Sequence, residues 1–174
     1  MPASSLSWTC FPITRRAPEP VAKAAEVFAA AATRISSEND GTRELNSAAV
    51  LSALRPGLEA VGFDVERPGH TVRLPVLFGE GAIPKRSFRA DAWNVEHGMV
   101  VEIEAGGARQ NNRGLLDLLK GVVWSECLHL LIAVKKAYGE AGQNDYEWLL
   151  DWVSLLHATD RVSLPMESVT VLGY

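Results

Sequence analysis

The sequence predicts an α/β domain with a central mixed β-sheet flanked by helices. Two observations carry this. Helix-patterned and strand-patterned segments alternate in the order α, α, β, β, β, α, β, α, β. The third and fourth main strands enclose one amphipathic helix, which makes a crossover unit between parallel strands, expected to be right-handed. At 174 residues the chain suits one domain, 1–174.

The elements follow in order. Residues 1–19 hold Ser, Thr and Pro without a period and read as an irregular arm. From Pro20 to Ile35 the chain is Ala-rich, with Pro placed to start a helix. Leu45 to Val61 is a second helix, apolar at Val50, Leu51, Leu54, Leu58 and Val61. Pro56 should kink it or mark its true start, and Gly62 ends it. Phe63–Glu66 is a short strand and Thr71–Phe78 another, with Pro75 placing a bend or an edge. Gly79 to Lys85 is a loop. Ser87–Val95 and Met99–Glu104 then form a hairpin turning at Glu96-His97-Gly98. Gln110–Trp124 is a helix, Leu128–Val134 a buried strand, Asp145–Leu156 a helix and Ser168–Leu172 a last strand.

Composition narrows the function classes. Hydrophobic residues make up 47%, enough for a core, and charged residues 22%. No apolar run reaches the roughly 18–20 residues of a membrane span. The N-terminus lacks the pattern of a signal peptide. Two cysteines, Cys10 and Cys127, make no disulfide framework and have no second ligand at zinc spacing, so the expected setting is reducing and cytoplasmic. Net charge is −4, which excludes a globally basic nucleic-acid binder. From Lys85 to Lys136, however, eight cations meet six acids, a local surplus of +2.

The chemistry concentrates in Asp91 and in Val100-Val-Glu102-Ile-Glu104. Side chains alternate along a strand, so Glu102 and Glu104 share one face while Val101 and Ile103 take the apolar one. Asp91, on the preceding strand, reaches the same side if the hairpin register allows. Clustered carboxylates repel and shift one another's pKa values, and a hard divalent cation such as Mg²⁺ relieves this. Alternating glutamates on an edge strand also serve as a solvated, aggregation-blocking face. Directly after the acids, Gly106-Gly-Ala-Arg109-Gln-Asn-Asn-Arg113 enters a helix. Its amides, with Arg109 and Arg113 four residues apart and Lys120 seven further on, suit the grip of a phosphate. His129, within the buried strand, reads as a core histidine. Phosphate-binding glycine loops, dinucleotide fingerprints and local Ser/His or Cys/His motifs are absent.

The acid pattern resembles the PD-(D/E)xK nucleases, the restriction-endonuclease-like superfamily. Asp91 matches the first acid and Glu102 the second. Glu104 stands where most members have Lys, as in the Glu-x-Glu variant of BamHI-like restriction enzymes, and Ala90 replaces the usual Pro. The resemblance spans residues 45–134. It implies a restriction-endonuclease-like fold and a Mg²⁺-dependent endodeoxyribonuclease of restriction, repair or defence type, with Mn²⁺ able to substitute. It also implies that Asp91, Glu102 and the Ile103 backbone carbonyl hold metal, and that Glu104 binds metal or orients the attacking water. In the family an upstream acid often completes the site, for which Glu59 and Glu80 are the candidates. DNA is the implied partner, gripped through Arg109, Arg113 and Lys120, and a homodimer would supply the two sites that cutting two strands needs. The alternative is a nuclease-like domain that has lost catalysis and acts as a DNA- or protein-binding module.

Overall fold

The computed structural model describes residues 6–137 and 143–174. Along the chain come β1 (Ser7–Phe11), α1 (Glu19–Ile35), α2 (Ser47–Ala60), β2 (Asp64–Val65), β3 (Val72–Phe78), β4 (Pro84–Ala90), β5 (Ala92–Asn94) and β6 (Met99–Glu104). Then follow α3 (Arg113–Val123), β7 (His129–Val134), α4 (Asp145–Ala158) and β8 (Ser168–Gly173). Six strands form one mixed sheet in the order β1-β8-β7-β6-β5-β2, and β3 and β4 form a separate two-stranded ribbon. The three central strands β6, β7 and β8 are parallel, and β5, β2 and β1 join antiparallel at the flanks. The α/β class and the mixed sheet are those the sequence pattern predicts.

Strand alternation divides the core in two. Val101, Ile103, Leu131, Ala133 and Leu172 pack with residues of α1 and α2. Val100, Leu130, Ile132, Val134, Val169 and Val171 pack with α3, α4 and the base of the ribbon. Each fully buried aliphatic side chain contributes about 1.5–3 kcal/mol. On α1 the buried residues Val21, Ala24, Ala25, Phe28, Ala31, Ala32 and Ile35 recur at helical spacing. α2 starts at its Asn46 cap, whose Oδ1 accepts from the Ala49 amide at 2.9 Å, and runs through Pro56, which therefore does not mark its start. It ends at Gly62, where φ is +92°.

Three elements differ from the sequence expectation. The N-terminal arm contains β1, which lies against β8 with Ser7 opposite Gly173; residues 1–5 of that arm lie outside the described residues. A strand whose partner comes from the far end of the chain leaves no local period to read. Second, Ser87–Val95 is not one strand. It divides at Asp91, with β4 pairing back onto β3 and β5 forward onto β6, and the turn spans the residues between Asn94 and Met99. Ala90 is buried in the core of one sheet face and Ala92 in that of the other, so the chain changes layers at Asp91. Third, α3 begins at Arg113 rather than Gln110, because Asn112 is left-handed with φ +53°. His129 is a core histidine, its Nδ1 at 2.9 Å from Ser168 Oγ.

Candidate active site

β6 is a central strand and not an edge, so its glutamates are not a solvated fringe. Glu102 is 6% exposed. Its even-numbered face looks toward α3, whose amphipathic surface buries Asp117 and Leu118 beneath it. At the carboxyl end of β6 an open cleft of about 990 Å³ is lined by Asp91, Glu102, Ile103, Glu104, Arg113 and Lys120. Its other walls are the first turns of α2 and the base of the ribbon, including Ser47, Ser52, Arg55, Arg67 and Arg89. In open α/β sheets, ligands bind at the carboxyl ends of the parallel strands.

The change of layers sets the position of Asp91. Its Oδ2 accepts a hydrogen bond of 2.7 Å from the Ile103 amide. The carboxylate thus takes a place in the β5–β6 ladder that a backbone carbonyl would fill, and this ties the first acid to the strand of the other two. Beyond Glu104, the Ala105 amide donates to Ser47 Oγ at 3.1 Å, and the Tyr174 hydroxyl donates to the Glu104 carbonyl at 3.4 Å. The strand end is therefore held from α2 and from Tyr174, just past β8.

Asp117 joins the three expected acids. It is 3% exposed, and its Oδ2 has no hydrogen-bond partner among the described residues. Lys120, one turn later on the same face of α3, bonds Asp117 Oδ1 at 2.5 Å and lies 3.6 Å from Glu102 Oε1. Arg113 Nη1 lies 3.8 Å from Glu104 Oε2. Asp91, Glu102 and Glu104 on the cleft wall, with Asp117 beneath them, thus gather around Lys120 and Arg113, while the outer walls add Glu66, Arg55, Arg67 and Arg89.

The proton affinities reflect burial first and mutual repulsion second. Burial pushes Asp91 up to about 6, against the lowering effect of the Ile103 amide and with added repulsion from Asp117. Burial, then Asp117 and Asp91, raise Glu102 well above the carboxylate range. Burial and Asp117 raise Glu104 to about 7 although Arg113 opposes them. Asp117 is raised by burial, with Lys120 opposing. Burial alone would lower the Lys120 ammonium, but Glu102 and Asp117 outweigh it and keep it charged. Perturbed groups gathered in one cleft are what a reactive or ion-binding site requires.

This donor set suits a divalent cation in kind, with oxygen ligands only, and an ion would displace the protons that burial favours on these groups. Among the described residues, no three His, Cys, Asp or Glu side chains already stand close enough around one point to chelate an ion. Asp91 is turned to the Ile103 amide and Glu102 toward Lys120, so chelation requires those side chains to rotate.

The remaining expected residues fall differently. Arg113 and Lys120 line the cleft, whereas Arg109 does not. Arg109 lies in the turn before α3, whose backbone amides at Ala108 and Arg109 favour the ionised Asp145 carboxylate at the start of α4, against the raising effect of its burial. Glu59 pairs with Arg67 at 3.4 Å and Glu80 sits in the exposed turn of the ribbon; neither lines the cleft. The further acid near Glu102 and Glu104 is Asp117, which lies beneath the cleft floor. Its sequence signal is the Asp117/Lys120 spacing of three, with Arg113 four residues earlier, in a helix otherwise built of Leu, Val and Gly. No helix among the described residues is long and apolar enough to cross a membrane. Compared with protein-family models and with curated proteins, the chain matches none.

Proposed function

We propose that the protein is a divalent-metal-dependent endonuclease of restriction-endonuclease-like type that hydrolyses DNA phosphodiester bonds. The observation that carries this reading is the cluster of four carboxyl groups, Asp91, Glu102, Glu104 and Asp117, gathered around Lys120 and Arg113 at one cleft.

Asp91, Glu102 and the Ile103 carbonyl would hold the ion. In a β-ladder the N–H and C=O of one residue face the same neighbour, so the Ile103 carbonyl is directed to the side of Asp91. A bound Mg²⁺ or Mn²⁺ would lower the pKa of a coordinated water and offset charge on the scissile phosphate. Lys120 then supplies what a lysine at position 104 would supply. Its ammonium lies beside Glu102 and is set to orient the attacking water and to offset the developing negative charge. Glu104 accepts a proton near neutrality, and Arg113 anchors a phosphate at the cleft mouth. A homodimer would place a second such cleft on the opposite strand. The unpaired Cys10 and Cys127 suit a cytoplasmic setting.

One observation favours the second reading, a nuclease-like module without catalysis: Lys120 already half-neutralises the acids from inside. Incubation with supercoiled plasmid separates the two. The nuclease nicks or cuts it with Mg²⁺ or Mn²⁺, and Asp91→Ala or Glu102→Ala abolishes cleavage. Activity that survives both substitutions defeats the site, and calorimetry showing no Mn²⁺ uptake by the wild type identifies the inactive module.

A further inference from the structure

The ribbon of β3 and β4 has a composition unlike the rest of the molecule. Between Val72 and Ala90 stand four cations and one acid, net +3, in a chain of net charge −4. Its base is fixed: Val72, Leu74 and Ala90 are buried in the core of the α3 face. Residues 77–86, by contrast, are all exposed. At the tip Leu77, Phe78 and Ile83 are 50%, 52% and 68% exposed.

Pairing register adds a second observation. Arg73 lies directly opposite Arg89, on the face away from the core. Like charges in direct cross-strand contact are destabilising. Glu66 pairs with Arg89, but Arg73, Lys85 and Arg86 have no ion pair among the described residues. Basic side chains held without counter-charge on an extended arm call for an external anion.

Position supplies the third. β4 runs straight into Asp91, and Thr71, Arg89 and Ala90 at the ribbon base line the acid cleft. With seven residues per strand the arm reaches roughly 20–25 Å from that rim. A two-stranded ribbon fits a B-DNA major groove, which is about 12 Å wide.

We propose that the β3–β4 ribbon is a duplex-DNA grip, which lays Arg73, Lys85 and Arg86 along backbone phosphates while its apolar tip enters the major groove, and so leads the strand into the Asp91 cleft. The choice of DNA rests on the nuclease reading. The grip itself does not require catalysis.

Anisotropy of a short fluorescein-labelled duplex, titrated with full-length protein in Ca²⁺ across a range of KCl concentrations, tests it. Each phosphate contact contributes about 0.9 to the slope of log affinity against log salt. The triple variant Arg73→Ala/Lys85→Ala/Arg86→Ala is therefore expected to lose about 2–3 from that slope and about 100-fold in affinity near 0.1 M salt. Arg73→Lys/Arg86→Lys should bind as wild type. Because all three side chains are solvent-facing, the thermal melt of the triple variant should match wild type. Triple-variant binding equal to wild type overturns the proposal, as does a wild type that binds no duplex. The nuclease reading fails separately: binding lost in the triple variant, with no cleavage by wild type in Mg²⁺ or Mn²⁺, upholds the grip and removes the catalysis. A wild type that sediments as a dimer, made monomeric by Phe78→Ser/Ile83→Ser, with unchanged DNA binding in the triple variant, assigns the ribbon to a second copy and also overturns it.

Discussion

β6 and β7 are neighbouring parallel strands of six residues, in register, each almost wholly removed from water. On the face toward α3 and α4, β7 carries Leu130, Ile132 and Val134, while β6 carries Val100, Glu102 and Glu104. Glu102 lies level with Ile132, and Glu104 with Val134. The apolar strand is what burial asks for. The acidic one is opposed by desolvation, which raises both carboxyl groups above their ordinary range. A sheet that could have been stabilised by two more aliphatic side chains keeps a buried and a half-buried carboxyl group instead, and function is the ordinary reason for such a departure.

The largest expected effect comes from making β6 more like β7. Glu102→Gln should lower plasmid cleavage by on the order of 10³-fold, which is about 4 kcal/mol of transition-state stabilisation. The same change should raise the metal-free unfolding midpoint at pH 7.5 by about 2–4 °C, corresponding to about 1 kcal/mol in a chain of this size. The pairing of the two signs is the test. If the variant melts below wild type, Glu102 is a structural partner of Lys120 and its burial is no argument for a site.

A smaller effect separates two cations that the sequence pattern groups together. Lys120 lies 3.6 Å from Glu102, and its meaning depends on the acids of β6. Lys120→Met should slow cleavage about 100-fold, within the range seen when one charge-stabilising donor is removed. Arg109 lies outside the cleft, so Arg109→Ala should change the rate less than about 2-fold, as for one exposed phosphate contact at most. Initial-rate measurements on plasmid suffice. A larger loss from Arg109→Ala than from Lys120→Met would return the phosphate grip to the loop before α3.

The contrast between β6 and β7 is largely legible in the amino-acid sequence, and physical reasons set where that legibility stops. Alternation over Val100–Glu104 is a period-two signal within one strand, so the shared face of Glu102 and Glu104 follows from the residues alone. The run Leu128–Val134, apolar but for His129, marks a central strand through its near-continuous hydrophobicity. A simple hairpin would place Asp91 beside them, but the outer strand of that hairpin belongs to two sheets. The side-chain bond to the Ile103 amide, not strand pairing, brings Asp91 in. Asp117 and β1 depend on contacts across long separations, α3 onto β6 and the N-terminus onto β8, and such contacts leave no periodic trace. The separate ribbon is hidden because Gly79–Lys85 has loop composition while Pro84 already starts a strand.

The smallest effect is the pH dependence of the metal-free protein, and its sign is distinctive. Asp91 is raised to about 6 and Glu104 to about 7, with Glu102 and Asp117 also raised. In the unfolded chain these groups lose their protons near pH 4. Between about pH 4 and 7 the folded state therefore holds more protons than the unfolded state, and stability falls as pH rises through that window. The contribution is fully present below pH 4 and fully lost above the folded values. β7 carries nothing to titrate on this face; its His129 is on the other and, lowered by burial, adds a slope of opposite sign. The unfolding midpoint without metal should fall by several degrees from pH 5 to pH 7.5, and the fall should shrink in an Asp91→Asn/Glu104→Gln variant. Divalent cations bind the ionised carboxylates, so Mn²⁺ should raise the midpoint more at pH 7.5 than at pH 5. A wild-type midpoint that rises over this range, with the double variant unchanged from it, would mean that the carboxyl groups of β6 are ionised and paired in the folded state, with no bound protons for an ion to displace.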